Sequence, residues 1–89
     1  MDIDKSFFSL RLRDEMAKKH LNQSQLALRC EPYAKAYGVQ ITKQKISKYV
    51  NGLAAPTDDN TLTALAAGLE VSAYWLIGLD TTEGFTDEE

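Results

Sequence analysis

Eighty-nine residues, 44% of them hydrophobic, allow one small domain with a modest core. No apolar run approaches the roughly 20 residues a membrane span needs. The start, Met1-Asp2-Ile3-Asp4-Lys5, is acidic and polar, unlike a secretion signal, and the single cysteine, Cys30, excludes an intrachain disulfide, so a cytoplasmic protein is expected. The net charge of −3 is unevenly spread. Five acids and no base lie between Asp80 and Glu89; without them, ten bases stand against eight acids. From Pro32 to Thr57 there are four lysines (Lys35, Lys43, Lys45 and Lys48) and no acid.

Apolar residues recur at helical spacing between Gly, Pro, Asn and Asp, and runs alternating polar with β-branched residues are missing. The fold therefore reads as all-α, a bundle of five short helices. The first helix is expected from Asp4 or Ser6 to Lys19, with Phe8, Leu12 and Met16 on its apolar stripe. Ile3 and Ala17 lie near that stripe, and Arg11, Arg13, Asp14, Glu15, Lys18 and Lys19 fill the wet side. His20 stands at the helix end in a capping role. Asn22 is a good N-cap for a second helix, read as Gln23 to Cys30 with Leu26, Ala27 and Cys30 inward and Cys30 serving as a small hydrophobe.

Glu31-Pro32 then interrupts, because proline lacks an N–H and disfavours helix in the residue before it. Pro32 to Tyr37 is expected as an extra turn or short helix ended by Gly38, and Val39-Gln40-Ile41 as extended chain. After a loop over Leu53–Thr57, a cap at Thr57, Asp58 or Asp59 opens a fourth helix. It runs to about Gly68, with Leu62, Leu65, Ala66 and Leu69 inward. Ser72 caps a short fifth helix, with Val71 and Leu76 placed as a hydrophobic staple. From Gly78 the chain turns polar and acidic, and residues 80–89 read as a flexible tail or linker.

The stretch Thr42–Gly52 carries the chemistry. Thr42 can cap a helix and Gly52 can end one. Ile46, Tyr49 and Val50 put apolar groups on one face. Gln44 and Lys48 lie opposite, with Lys45 and Asn51 at the flanks. A short helix that buries one stripe and offers amides and ammonium groups on the other suits a DNA major groove. The four lysines around it supply the charge that a phosphate backbone attracts.

Read as ordered pieces, the chain resembles the lambda-repressor-like helix-turn-helix domains. Leu21-Asn22-Gln23-Ser24-Gln25-Leu26-Ala27 is similar to that family's Leu-Thr-Gln-x-x-Leu-Ala opening of helix two. Ile41-Thr42-Lys43-Gln44-Lys45-Ile46-Ser47-Lys48-Tyr49-Val50-Asn51-Gly52 is similar to its Val-Ser-x-x-x-Ile-Ser-x-x-Glu-x-Gly recognition helix. Pro56 stands where the family often has proline. Leu62-x-x-Leu65-Ala66-x-x-Leu69-x-Val71-Ser72, followed by Trp75-Leu76, is similar to its closing pattern. The resemblance covers residues 8–78.

It implies a role for each matched residue. Gln23 would donate to a phosphate and brace helix three. Thr42 would cap that helix and touch the backbone. Lys43, Gln44 and Lys48 match base-reading positions, with Lys43 nearer the buried stripe. Lysine can donate to guanine, and glutamine can pair bidentately with adenine. Lys45 and Asn51 would suit phosphate, and Ser47 belongs to the same set. Two departures stand out. The connection from helix two to helix three is lengthened by the segment Glu31–Gln40, as in some phage repressors. A helix-one arginine and helix-three glutamate common in the family are replaced by Met16 and Val50.

The expected function is sequence-specific binding of double-stranded DNA by a transcriptional regulator of the phage-repressor type, acting as a homodimer on a pseudo-palindromic operator. The alternative is a protein-interaction module, such as an antitoxin or the partner of an antirepressor, engaged through the acidic tail or the Tyr33–Tyr37 turn. Paired carboxylates, Cys/His clusters, phosphate-binding glycine loops and an activated nucleophile are all missing, so neither an enzyme nor a cofactor or metal site is expected. Nor is a membrane partner.

Overall fold

The computed structural model describes residues 3–79, and the tail expected over 80–89 lies outside them. The described residues fold into five helices without a strand: α1 (Lys5–Lys18), α2 (Gln23–Tyr37), α3 (Lys43–Val50), α4 (Asp59–Leu69) and α5 (Ala73–Leu76). Every helix starts on a side-chain cap that satisfies backbone N–H groups with no partner inside the helix. Asp4 accepts from Ser6 and Phe7, Thr42 from Lys45, Asp58 from Thr61 and Ser72 from Trp75. At α2 the arrangement is reciprocal: Asn22 Oδ1 accepts from the Gln25 N–H and Gln25 Oε1 accepts from the Asn22 N–H, each at 2.8 Å.

The helices also end alike. A left-handed residue follows each helix, and the next N–H reaches back to a carbonyl in the last turn, as Leu21 does to Met16 at 2.9 Å and Val39 to Ala34 at 2.9 Å. Glycine supplies that conformation after α2, α3 and α5, but after α1 and α4 it falls to His20 (φ 57°) and Glu70 (φ 61°). His20 therefore does stand in a helix-terminating position, held by its backbone.

α2 departs from expectation. It does not stop at Cys30 but continues through Pro32 to Tyr37. The added length between Cys30 and Thr42 is present, yet most of it is helix, and the connection to α3 is only residues 38–42. The reason is packing. Leu26, Cys30 and Ala34 recur every four residues and are all buried, so continuing the helix extends its contact with the core. Pro32 lies on the exposed side, where water can take the Leu28 carbonyl that the proline leaves unbonded. Glu31 and Lys35 bridge the same turn at 3.8 Å.

The core sits where α2 crosses α4. Phe8, Leu12, Leu26, Cys30, Ile46, Leu65, Leu69 and Leu76 are its most deeply buried large side chains. Gly68, expected near the end of helix four, lies inside α4 at this crossing: a Cβ there would collide with Cys30 Sγ and stand 3.2 Å from Cys30 Cα. Its missing side chain lets the helices approach. Burial also pushes the Cys30 thiol up to about 11, so it is a neutral packing group. Arg29 ties the same pair of helices, donating from Nε to the Gly68 carbonyl at 3.0 Å and meeting Glu70 at 3.1 Å.

α5 closes the bundle against α4 and α1. Leu76 is fully buried and Val71 packs on the core. Arg11 is held between Phe7 and Trp75, 4.6 Å and 4.2 Å from their ring centres, and donates to the Trp75 carbonyl at 2.8 Å. Glu15, expected on the wet side of α1, is buried instead, with its carboxylate 2.7 Å from Lys19 and 3.5 Å from Lys18. Ala17, expected near the apolar stripe, is exposed.

Candidate nucleic-acid interface

α3 is eight residues long and is fixed from beneath. Ile46 and Tyr49 are buried. The Tyr49 ring meets Phe8 edge-on at 5.6 Å, and burial, with Asp58 nearby, holds its phenol above the usual value and therefore neutral. Ser9 of α1 donates its hydroxyl to the Val50 carbonyl at 2.6 Å, which satisfies one of the last carbonyls of α3. Thr42 Oγ1 accepts from the Lys45 N–H at 3.2 Å. Both ends of α3 are thus anchored by side chains of short reach, which suits a helix that must be held at one angle.

Its outer face is open. Lys43, Gln44 and Lys48 are exposed, and among the described residues neither Lys43 nor Lys48 forms an ion pair. Lys43 was expected close to the buried stripe, but because it is the first residue of α3 it clears the core and stands at the mouth of a cleft. Met16, Asn22, Gln23 and Ser24 line that cleft with it. The structure therefore brings Gln23, at the start of α2, and Lys43, at the start of α3, to one place.

Of the remaining candidates, Lys45 and Asn51 are exposed but tied to neighbouring backbone. Lys45 Nζ donates to the Gln40 carbonyl at 2.9 Å, folding back over the connection from α2. The Asn51 amide donates to the Ser47 carbonyl at 2.9 Å, with Ser47 Oγ at 3.4 Å. Ser47 and Asn51 thus finish the last turn of α3, which leaves Gln44 and Lys48 as the side chains standing out from its middle. Met16 and Val50 need no charge partner: Met16 is buried, Val50 packs on the core, and the tie between helices one and three is the Ser9 bond instead.

Two further features have no counterpart in the sequence reading. Ser6, Ser9 and Arg13 of α1 meet Val50, Asn51 and Gly52 in a second polar cleft, at the opposite end of α3 from Gln23 and Lys43. Ser6, Ser9 and Arg13 are spaced by three and four residues, as on one helix face, but nothing local shows that this face meets the end of α3. A groove of about 730 Å³ also runs along the lengthened α2, walled by Ala27, Leu28, Ala34 and Lys35 on one side and residues 39–43 on the other. Leu28 is 68% exposed beside it.

The positive charges divide by location. Lys18, Lys19, Arg29 and Lys35 each lie within hydrogen-bonding or ion-pair distance of a carboxylate, at 3.3, 2.7, 3.1 and 3.8 Å. Arg11 is stacked on rings. The bases without an ion pair among the described residues are Lys5, Arg11, Arg13, Lys43, Lys45 and Lys48, and apart from Lys5 and the ring-stacked Arg11 all lie on α3 or line a cleft at its end. No group of three or more metal-ligating side chains gathers among the described residues, and none of their helices is long and apolar enough to cross a membrane. Neither a family model nor a curated protein matches this chain.

Proposed function

We propose that this chain is a double-stranded DNA-binding domain that lays α3 in the major groove and acts as a transcriptional regulator of the phage-repressor kind. The observation that carries the reading is the placement of the uncompensated bases. Among the described residues, Lys18, Lys19, Arg29 and Lys35 are paired with carboxylates and Arg11 is stacked on rings, while the bases around α3 have no ion pair, as suits a surface that meets a polyanion. Gln44 and Lys48 are the base readers, and Gln23 and Lys43 contact the backbone at the entrance. A homodimer on a pseudo-palindromic site would place two α3 helices in successive major grooves about 34 Å apart. The chemistry is recognition, without a catalytic step.

Selection of bound sites from random duplex DNA tests this directly. A symmetric site with half-sites one helical turn apart is expected. Gln44→Ala and Lys48→Ala should each weaken binding to the selected site by roughly 1–3 kcal/mol. Failure to enrich any sequence, together with unchanged binding by both variants, would remove the reading. A second reading, a module that binds a protein partner, is favoured by the apolar groove along α2 and its exposed Leu28. Leu28→Asp would abolish partner capture while leaving duplex binding intact.

A further inference from the structure

We infer that Arg13, with Ser6 beside it, is a second phosphate-binding point, on the groove wall opposite the one held by Gln23 and Lys43. The inference rests on the DNA-binding reading above and adds a residue of α1 to it. Its basis is the cleft formed where Ser6, Ser9 and Arg13 meet Val50, Asn51 and Gly52. Arg13 is exposed there, and its Nε donates to the Ser9 carbonyl at 3.3 Å, which orients the guanidinium and leaves both terminal nitrogens without a partner among the described residues. The carboxylates nearest it in sequence are engaged elsewhere: Asp14 meets Lys18 at 3.3 Å, and Glu15 meets Lys19 at 2.7 Å. No acid among the described residues lines the cleft. Ser6 adds an exposed hydroxyl, and Lys5 stands one residue before it.

The spacing fits a duplex. α3 has eight residues, so its two ends are about 12 Å apart at 1.5 Å per residue. The major groove is about 12 Å wide between its phosphate walls. A polar cleft stands at each end of the helix, one holding Lys43 and the other Arg13. A helix whose middle reads bases would thus carry a cation at either end for the two backbones. Arginine suits the task because its planar fork matches two phosphate oxygens at once. Contacts of this type fix position and carry no sequence information.

The test is a salt titration of duplex binding, followed by fluorescence anisotropy, on the selected site and on a scrambled duplex. Arg13→Ala should weaken both by the same factor, about tenfold, and lower the slope of log affinity against log salt by about one. Arg13→Lys should restore the slope and recover only part of the affinity. Gln44→Ala serves as the contrast, weakening the selected site and sparing the scrambled one. Thermal melts should show both Arg13 variants folded, since the side chain is exposed. If the parent binds with a steep salt slope and Arg13→Ala keeps that slope, the inference is overturned and the DNA-binding reading stands. If the parent binds neither duplex, both fall together.

Discussion

Lys18 and Lys19 at the end of α1 and Lys48 in the last turn of α3 are the same residue type near the C-terminus of a helix, yet their surroundings differ. The first two follow Asp14 and Glu15 by one turn and pair with them at 3.3 and 2.7 Å. Lys48 follows Gln44 by one turn and pairs with nothing among the described residues. Both arrangements serve the helix dipole equally. The Lys18–Asp14 pair is exposed and adds little to stability; the difference that matters here is one of field: the end of α1 cancels its charge locally, and α3 projects it. A glutamine in place of an acid at position 44 is enough to produce that difference, and it also supplies a side chain that can read a base.

The comparison can be broken by damaging the scaffold that both helices share. Leu65 is fully buried at the centre of the core, and Leu65→Ala should destabilise the fold by about 2–5 kcal/mol, measured by denaturant unfolding. Duplex binding assayed where the variant remains folded should be unchanged. Next in size is Gln44→Glu, which places an acid one turn before Lys48 and so converts α3 to the pattern of α1. Binding to DNA should fall by more than for Gln44→Ala, while helix stability rises by about 0.2–0.5 kcal/mol. Equal binding by parent and variant would show that the open charge on α3 has no role.

His20→Gly is smaller. The exposed histidine occupies a left-handed conformation that glycine adopts without strain, so the variant should gain about 0.5–1 kcal/mol in thermal melts with binding unaltered. The smallest effect is acid sensitivity at the cap of α4. The Thr61 hydroxyl, then the Thr61 N–H, hold the Asp58 carboxyl below its ordinary value of 3.8. A lowered folded value means that the charged cap stabilises fully above 3.8 and that this contribution is lost as pH falls through the folded value. Asp58→Asn keeps the cap and removes the charge, so its melting temperature should decline less than the parent's over that acid range.

What could be read in the sequence was local. Asn22, Thr42 and Ser72 were legible as caps because a cap is decided within three residues, and Gln44 and Lys48 as an outer face because periodicity alone sets it. The break expected at Pro32 did not occur, because burial of Cys30 and Ala34 outweighed a local rule. Glu15 was misplaced for a related reason: its side chain is covered by the fold and neutralised by neighbours, which composition does not reveal. The Arg13 cleft and the Gly68–Cys30 approach join residues 38 positions apart or nearly so, and no short-range pattern encodes them.

The stacking of Arg11 on Trp75 has a practical consequence. Trp75 is the single tryptophan of the chain, and it sits on α5, which packs against α1 and α4 with a guanidinium 4.2 Å above the indole. Its emission should therefore report the closing of the bundle, shifting as the cation leaves and water arrives. The α3 face carries no indole of its own, so an operator titration needs a dye on the DNA, and the two optical signals, one for integrity and one for occupancy, can be followed in the same cuvette without overlap.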